Sequence, residues 1–325
     1  MRGVSASPGL GRSLAGRRVF VTGGAGFVGR RLVVRLAASG ARVISLDRRA
    51  ASASGGVRVL RGDCRRPEDW ESGLRGVEVV MHLAAAQGHR ASMEHPLRDY
   101  EDGVAALLGV LEASARSAPR ARIVLASTRQ IHGAPTRLPV AEDHPIHPPD
   151  AHSAHKEAAE HLVRHHAARH RTGHAILRFP NLYGPGMDLA PERAGFAGSF
   201  LRAALAGEPV TILGRSTLLR DPTHVDDAVR ALLLAAPPGA PSGTWNLGGA
   251  PVTLRDFATA VFGALATRPR IREEPLPPAL AAIAVGDMIC DSRKIARDLG
   301  WAPEVPLDSG LAETVGSLRS GGCSP

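Results

Sequence analysis

The stretch Arg18-Val-Phe-Val-Thr-Gly-Gly-Ala-Gly-Phe-Val-Gly-Arg-Arg-Leu32 constrains the fold of this chain more than any other. Val19 to Val21 is an apolar run of the length of a buried strand, and helical apolar spacing begins near Phe27 and continues to Ala38. Between them Gly23, Gly26 and Gly29 recur at three-residue spacing. A strand, a Gly-rich turn and a helix N-terminus in that order make a seat for a dinucleotide pyrophosphate. Gly23 permits the tight turn, Gly26 lets the backbone approach the phosphates, and Gly29 lets the helix pack closely on the sheet. Three glycines alone also occur in packing turns; the flanking strand and helix favour the cofactor site.

The chain beyond it repeats the alternation. Arg42 to Asp47 reads as a second strand ending in an acid, 18 residues past Gly29, where a carboxylate would grip the adenosine ribose hydroxyls. That carboxylate would repel a 2′-phosphate and favours NAD; Arg48 and Arg49, which follow at once, keep NADP open as the lesser alternative. Val57 to Leu60 is a third short strand, and Asp63 after it either accepts from the adenine amino group or caps a helix starting near Pro67. Val77 to Leu83 is a fourth, followed by Ala84, Ala85 and Ala86, small enough for the backbone to pass close to a cofactor. A helix over 100–115 and a fifth strand over 122–126 complete the series, which predicts a doubly wound parallel sheet of the α/β class. Past residue 176, Pro- and Gly-rich segments separate shorter elements, as in a smaller α/β substrate lobe. Residues 17–176 with a return at 221–248 are assigned to the cofactor lobe, and 177–220 with 249–318 to the substrate lobe. Residues 1–16 and 319–325 are tails expected to be disordered.

Composition narrows the function classes. The net charge is +9, from 40 Lys+Arg against 31 Asp+Glu, but the basic residues are scattered rather than striped with aromatics, so no nucleic-acid partner is expected. Cys64, Cys290 and Cys323 show no CxxC spacing and suggest neither a disulfide framework nor zinc, which fits a reducing, cytoplasmic setting. The first 16 residues lack the apolar core of a signal peptide, and no 18-residue apolar run suggests a membrane span.

Further motifs stand in order along the chain: Thr22-Gly-Gly-Ala-Gly-Phe-Val-Gly29, His82-Leu-Ala-Ala85, Ala126-Ser-Thr128, Lys156-Glu-Ala-Ala-Glu160 and Leu177-Arg-Phe-Pro-Asn-Leu-Tyr-Gly-Pro185. Arg220-Asp-Pro-Thr-His-Val-Asp-Asp227, Trp245-Asn-Leu-Gly248, Asp291-Ser-Arg-Lys294 and Leu299-Gly-Trp301 follow. Over residues 17–318 the chain resembles the NAD-dependent epimerase/dehydratase group, the extended short-chain dehydrogenases, which act mostly on nucleotide sugars. The resemblance implies a Rossmann cofactor lobe with NAD contacts at Gly23, Gly26, Phe27, Val28, Gly29, Asp47, Arg48, Asp63, Cys64, Leu83, Ala84, Ala85, Lys156 and Pro180. It also implies a nucleotide-linked or phosphorylated small-molecule substrate. Asn181 stands where the family contacts the diphosphate, and Arg220 matches an arginine that grips it. A homodimer through the helices before the fifth strand and around Lys156 is expected on the same ground.

In that family a Ser or Thr after the fifth strand, a Tyr and a Lys four residues later form the catalytic group. Thr128 and Lys156 match; the Tyr position is His152. The family's lysine lowers the Tyr pKa from about 10, whereas an imidazole, ordinarily near 6.5, accepts a proton at neutral pH unaided. The i, i+4 spacing puts His152 on one helix face with Lys156. Three readings stand: His152 is the acid/base of oxidation or epimerisation, the site performs a different reaction, or the chain is an inactive binding relative. The family's frequent Asn aligns with Gly103, and its Tyr-Gly after the fifth strand is His132-Gly133. Arg129 and Gln130 replace the Asp-Glu pair of dehydratases, which argues against 4,6-dehydration; Arg129 would pair with an acidic substrate group or stay solvated. His155 is expected to face away from the site. His161 and His165 form an i, i+4 pair without a carboxylate partner, so a solvated face is preferred to a metal site. Asp226 and Asp227 are expected to cap a helix.

Overall fold

The computed structural model describes residues 13–49, 56–85, 88–191, 194–281 and 283–320; residues 1–12 and 321–325, which make up most of the expected tails, lie outside them. Leu14, within the expected N-terminal tail, is fully buried in the core, and the last helix runs through Ser320.

The first half of the chain carries β1 (Arg18–Thr22), α1 (Phe27–Ala38), β2 (Arg42–Asp47), β3 (Val57–Arg61) and β4 (Val79–His82). It continues through α2 (His89–Glu94), α3 (Pro96–Tyr100), α4 (Ala106–Ser117), β5 (Arg122–Thr128), α5 (Ala151–His170) and β6 (His174–Phe179). The second half carries β7 (Leu182–Tyr183), α6 (Phe196–Leu205), β8 (Val210–Leu213), β9 (Leu219–Arg220), β10 (Thr223–His224), α7 (Val225–Ala235) and β11 (Gly243–Asn246). Last come β12 (Val252–Thr253), α8 (Leu254–Ala264), β13 (Ile271–Glu274), α9 (Pro278–Ala281), α10 (Arg293–Leu299) and α11 (Leu307–Ser320).

Seven strands form one sheet in the order β11-β6-β5-β4-β1-β2-β3, every pairing parallel. This is the doubly wound sheet expected from the alternating pattern. Its central strands are buried on both faces, which is why they read as unbroken apolar runs. The order reverses between β1 and β4, so the crevice for a ligand opens at the carboxyl ends of those two strands. In α1, Gly29, Leu32, Val33 and Leu36 bury one stripe, and the helix closes at Ser39 before Gly40, whose φ of +82° suits a glycine.

Three local departures have physical causes. Two short 3₁₀ turns, Pro67–Asp69 and Glu71–Leu74, replace the helix expected near Pro67. The helix expected over 100–115 begins earlier, as α3, and passes through a π turn at Glu101–Ala105 before α4. The helix at 225 is capped by His224, whose ring accepts from Asp226 N–H; Asp226 and Asp227 do not cap it. Asp227 instead accepts from the backbone of Glu304 and Val305 and pins the C-terminal segment. Beside the main sheet stand three two-stranded sheets, β7 with β10, β9 with β12 and β8 with β13, and a separate core cluster that includes Phe200, Phe257 and Leu311.

Under the site lies a buried ionic knot. Glu160 accepts from Arg178 through both oxygens, at 2.9 and 2.8 Å, and from Ser127 Oγ at 2.6 Å. Burial raises the Glu160 carboxyl, but the Arg178 hydrogen bonds and charge outweigh it and hold it below its ordinary value. Glu160→Ala would take from Arg178 the carboxylate that pairs with it in the interior. The variant is expected to lose about 3–5 kcal/mol in urea unfolding at neutral pH; a loss below about 1 kcal/mol would show that the knot does not hold α5 to the sheet.

Candidate active site

The cofactor seat follows from the backbone. Gly23 has φ +71°, and a methyl there would stand 2.7 Å from Ala84 N, so only glycine fits between β1 and the end of β4. A methyl on Gly29 would run into the Gly23 carbonyl. The N-cap of α1 is Gly26, with no side chain capping the first turn, which leaves the helix N-terminus for an anion. A cavity of about 390 Å³ opens here, lined by Gly23, Gly26, Asp47, Asp63, Cys64, Leu83, Ala84, Ala85 and Asp99. An uncapped helix N-terminus, a turn with glycine at its close approaches and an acid at the end of β2 suit a dinucleotide.

The acid at the end of β2 is held by short-range pairing. Asp47 accepts from Ala25 N–H at 3.0 Å and from Arg49 N–H at 2.9 Å. Arg49 in turn donates to the Ala25 carbonyl at 3.0 Å, and Arg48 stands 3.7 Å from Asp102. Both arginines named for a 2′-phosphate are thus turned to partners within the chain. Asp63 is fixed by Arg65, whose hydrogen bonds pull its carboxyl down to about 2. The turn at Pro67 has no side-chain cap, so Asp63 does not serve there. Burial pushes the Cys64 thiol up to about 12, which leaves it protonated and unreactive at neutral pH. Phe27 and Val28 are half-buried in the first turn of α1, Val28 against the core, and Pro180 is buried after β6.

Below the seat, Thr22 Oγ1 meets His82 Nδ1 at 3.0 Å and accepts from Ala84 N–H at 3.3 Å. Burial, with Lys156 nearby, pushes His82 down to about 3, so it is neutral. Its Nε2 is buried without a partner and lines a second, water-sized cavity with Asp99, Gly103, His152, His155 and Lys156.

α5 carries the remaining groups, fixed by Asp150, which caps it by accepting from Ser153 N–H at 2.8 Å. His152 Nδ1 lies 3.1 Å from one oxygen of Asp99, and His155 Nδ1 lies 2.7 Å from the other. His155 therefore faces the site instead of away from it, drawn in by a carboxylate that is 4% exposed. Burial raises the Asp99 carboxyl, but the hydrogen bonds and charges of the two histidines more than offset it and hold it below its ordinary value. Lys156 Nζ donates to the Ala126 carbonyl at 2.8 Å, and burial pushes it down to about 8 against the pull of Asp99 and Glu160. Thr128, at the end of β5, accepts from Gln130 N–H at 3.1 Å and caps the following turn. Asp99 was not singled out by sequence: it stands 53 residues from His152, and no motif marks it.

Beyond Thr128, Arg129 is buried and pairs with Asp221 and with Asn181 Oδ1. Arg220 donates to the carbonyls of Leu219 at 2.8 Å and Gly286 at 2.6 Å. The structure thus gathers Arg129, Asn181 and Arg220 in one place, with Arg129 inside rather than on an open surface. His161 and His165 are exposed. Among the described residues, His224, Asp226 and Glu313 alone come close enough to share a cation, and the Arg31 guanidinium already lies 2.5 Å from Asp226 and 3.6 Å from Glu313. No described helix is long and apolar enough to cross a membrane.

A parallel doubly wound sheet with a glycine-lined helix N-terminus at its switch point defines a dinucleotide-binding enzyme of the Rossmann class. Residues 19–248 match the NAD dependent epimerase/dehydratase family, and the chain belongs to that family, with NAD as its cofactor. It is 29% identical over 316 residues to a UDP-glucose 4-epimerase of Mycolicibacterium smegmatis, covering 93% of this chain and 99% of that one. The structure is similar to that of MoeE5 in complex with UDP-glucuronic acid and NAD, at a TM-score of 0.83, 32% identity and coverage of 94% and 99%. It is also similar to a UDP-glucose 4-epimerase of Thermotoga maritima with UDP-glucose, at a TM-score of 0.85, 28% identity and the same coverage.

Gly23→Ala is expected to strip NAD from the purified protein, with affinity reduced at least about a hundredfold, because the strained φ and the Ala84 clash both fall on the seat. The ratio of absorbance at 260 and 280 nm measures it, and retention of NAD at the wild-type level would refute the assignment.

Proposed function

We propose that this chain catalyses NAD-dependent epimerisation or oxidation at a hydroxyl-bearing carbon of a nucleotide-linked sugar, with His152 as the acid/base. The His152–Asp99 pair carries the reading. A carboxylate on Nδ1 fixes that nitrogen as the protonated one, so proton exchange falls to Nε2, and it stabilises the imidazolium once formed. Lys156 lies one helical turn further on, and its charge favours a developing alkoxide and the ribose hydroxyls beside it. Because Thr128 accepts from Gln130 N–H, its own hydroxyl proton is the one to offer the substrate oxygen. Held by the Gly23–Gly29 turn, NAD would supply a hydride acceptor for the carbinol hydrogen and its bonding electron pair, which for epimerisation would return to the opposite face of the carbonyl carbon. For epimerisation His152 then returns the proton to the oxygen it came from.

The relatives support the substrate class, since UDP-glucose and UDP-glucuronic acid are the ligands named for solved structures similar to this one. Arg129 and Gln130 speak against a 4,6-dehydratase, since neither can act as the acid that elimination of water requires.

His152→Phe is expected to keep NAD and to lower kcat on UDP-sugars by about 10²–10⁴-fold, with Asp99→Asn lowering it by about 10²-fold. Interconversion of UDP-sugars followed by chromatography is the measurement, and full turnover by His152→Phe would end the acid/base assignment.

We also infer a homodimer. Met93, Leu97, Tyr100 and Leu108 are exposed on the helical run before β5, with Leu97 69% exposed, next to the exposed face of α5. Sedimentation velocity should give twice the mass of the chain, and Leu97→Asp should shift it toward monomer; a monomeric wild type at micromolar concentration would contradict this.

A further inference from the structure

Arg129 follows Thr128 directly, yet its side chain turns back into the junction between the lobes and is 4% exposed. A guanidinium has five donors and no acceptor. Its Nη1 donates to Asp221 and, at 3.1 Å, to the Met288 carbonyl; its Nη2 donates to the side chain of Asn181. The other Asp221 oxygen accepts from Cys290 N–H at 2.7 Å, so both oxygens of this buried carboxylate are bonded within the protein. Since arginine cannot accept, the Asn181 atom facing it has to be the oxygen. The amide nitrogen is thereby turned the other way. A methyl on Gly195 would stand 3.8 Å from that nitrogen, and Gly195 is the N-cap of α6, which no side chain caps.

We propose that Arg129 is a positioning residue that locks the Asn181 carboxamide so that Nδ2, and not Oδ1, is offered to the ligand. A donor in that place selects a group made only of acceptors, such as the diphosphate of a nucleotide sugar; a carboxamide free to rotate would offer either end. The inference rests on the nucleotide-linked reading of the substrate. Arg129 itself is spent on Asp221 and Asn181 and acts on the ligand through Asn181 alone.

The test is the affinity of the NAD-loaded protein for UDP, dTDP and GDP, measured by titration calorimetry. Four forms are compared: wild type, Asn181→Ala, the charge-balanced pair Arg129→Met/Asp221→Asn, and the three changes together. Asn181→Ala is expected to weaken the best nucleotide about tenfold or more, as loss of a hydrogen bond to a charged group does. The charge-balanced pair is expected to weaken it severalfold in the wild-type background and to have no further effect in the Asn181→Ala background. Losses that multiply, or unchanged affinity in the charge-balanced pair, overturn the proposal, because a merely structural role would act with or without Asn181. NAD content and melting temperature report folding. Should the paired variant fail to fold, Asn181→Asp decides: it keeps an oxygen toward Arg129 but turns a second one on the phosphates. At least a tenfold loss is expected there, and unchanged affinity overturns the proposal. A wild type that binds none of the three nucleotides overturns both the substrate reading and this inference.

Discussion

At the carboxyl edge of the sheet, the Gly23–Gly29 turn approaches the end of β4 so closely that no side chain fits between them, and the placement of the other parts follows. Gly23 N–H and Gly24 N–H donate to the Leu46 carbonyl at 2.8 and 3.2 Å, and Gly26 N–H to the Gly23 carbonyl at 3.0 Å. Three strand ends and the start of α1 therefore converge within one turn. The Thr22–His82 contact ties β1 to β4 immediately beneath it. A wider turn would separate β4 from β1 and, with it, move β5 and the groups it carries away from the cavity.

Buried charge sets the second level of order. Burial depresses the Arg122 and Arg129 guanidinium groups to about 10 each, which records the cost of taking them out of water. Each is met by oxygens that fix a segment boundary. Arg122 donates to the carbonyls of Ala235, Ala240 and Pro241 and so holds the end of α7 against the start of β5. Arg178 ties β6 to α5 through Glu160. On α5, His152, Lys156 and Glu160 recur at i, i+4 and i+8, so the bond that anchors Glu160 in the core also sets the depth at which the other two stand.

Much of this was readable from local pattern. The bounds of α1 and β2 follow from apolar periodicity and from the glycine and acid that end them, because those elements are decided by burial along one segment. What could not be read is where segments far apart in the chain meet. His155 was expected to point away, since its helix position alone does not reveal a buried carboxylate 56 residues earlier. The cap of α7 is a histidine rather than the two acids beside it, because Asp227 is drawn off by the backbone of residues 304 and 305. Arg129 offered no signal of its pairing, because Asp221 lies 92 residues further along the chain. The π turn at Glu101–Ala105 likewise packs against α5, a contact between segments far apart in the chain.

The imidazole at residue 152 and the carboxylate of Asp99 belong together physically. A phenol needs a nearby cation to ionise at neutral pH, and its length carries the oxygen well out from the helix. An imidazole needs no such help, but it is shorter and has two nitrogens, so it works as a base only if something decides which nitrogen holds the proton. In the proposed role of His152, the Asp99 carboxylate on Nδ1 would make that choice, and the π turn that follows it on the chain holds Gly103, where a Cβ would meet nothing within 4 Å. The space is the water-sized cavity that His152, Lys156 and the unpartnered His82 Nε2 share. A single water there would have polar partners enough to be held, and it would link α5 to β4 where the resemblance places an Asn side chain.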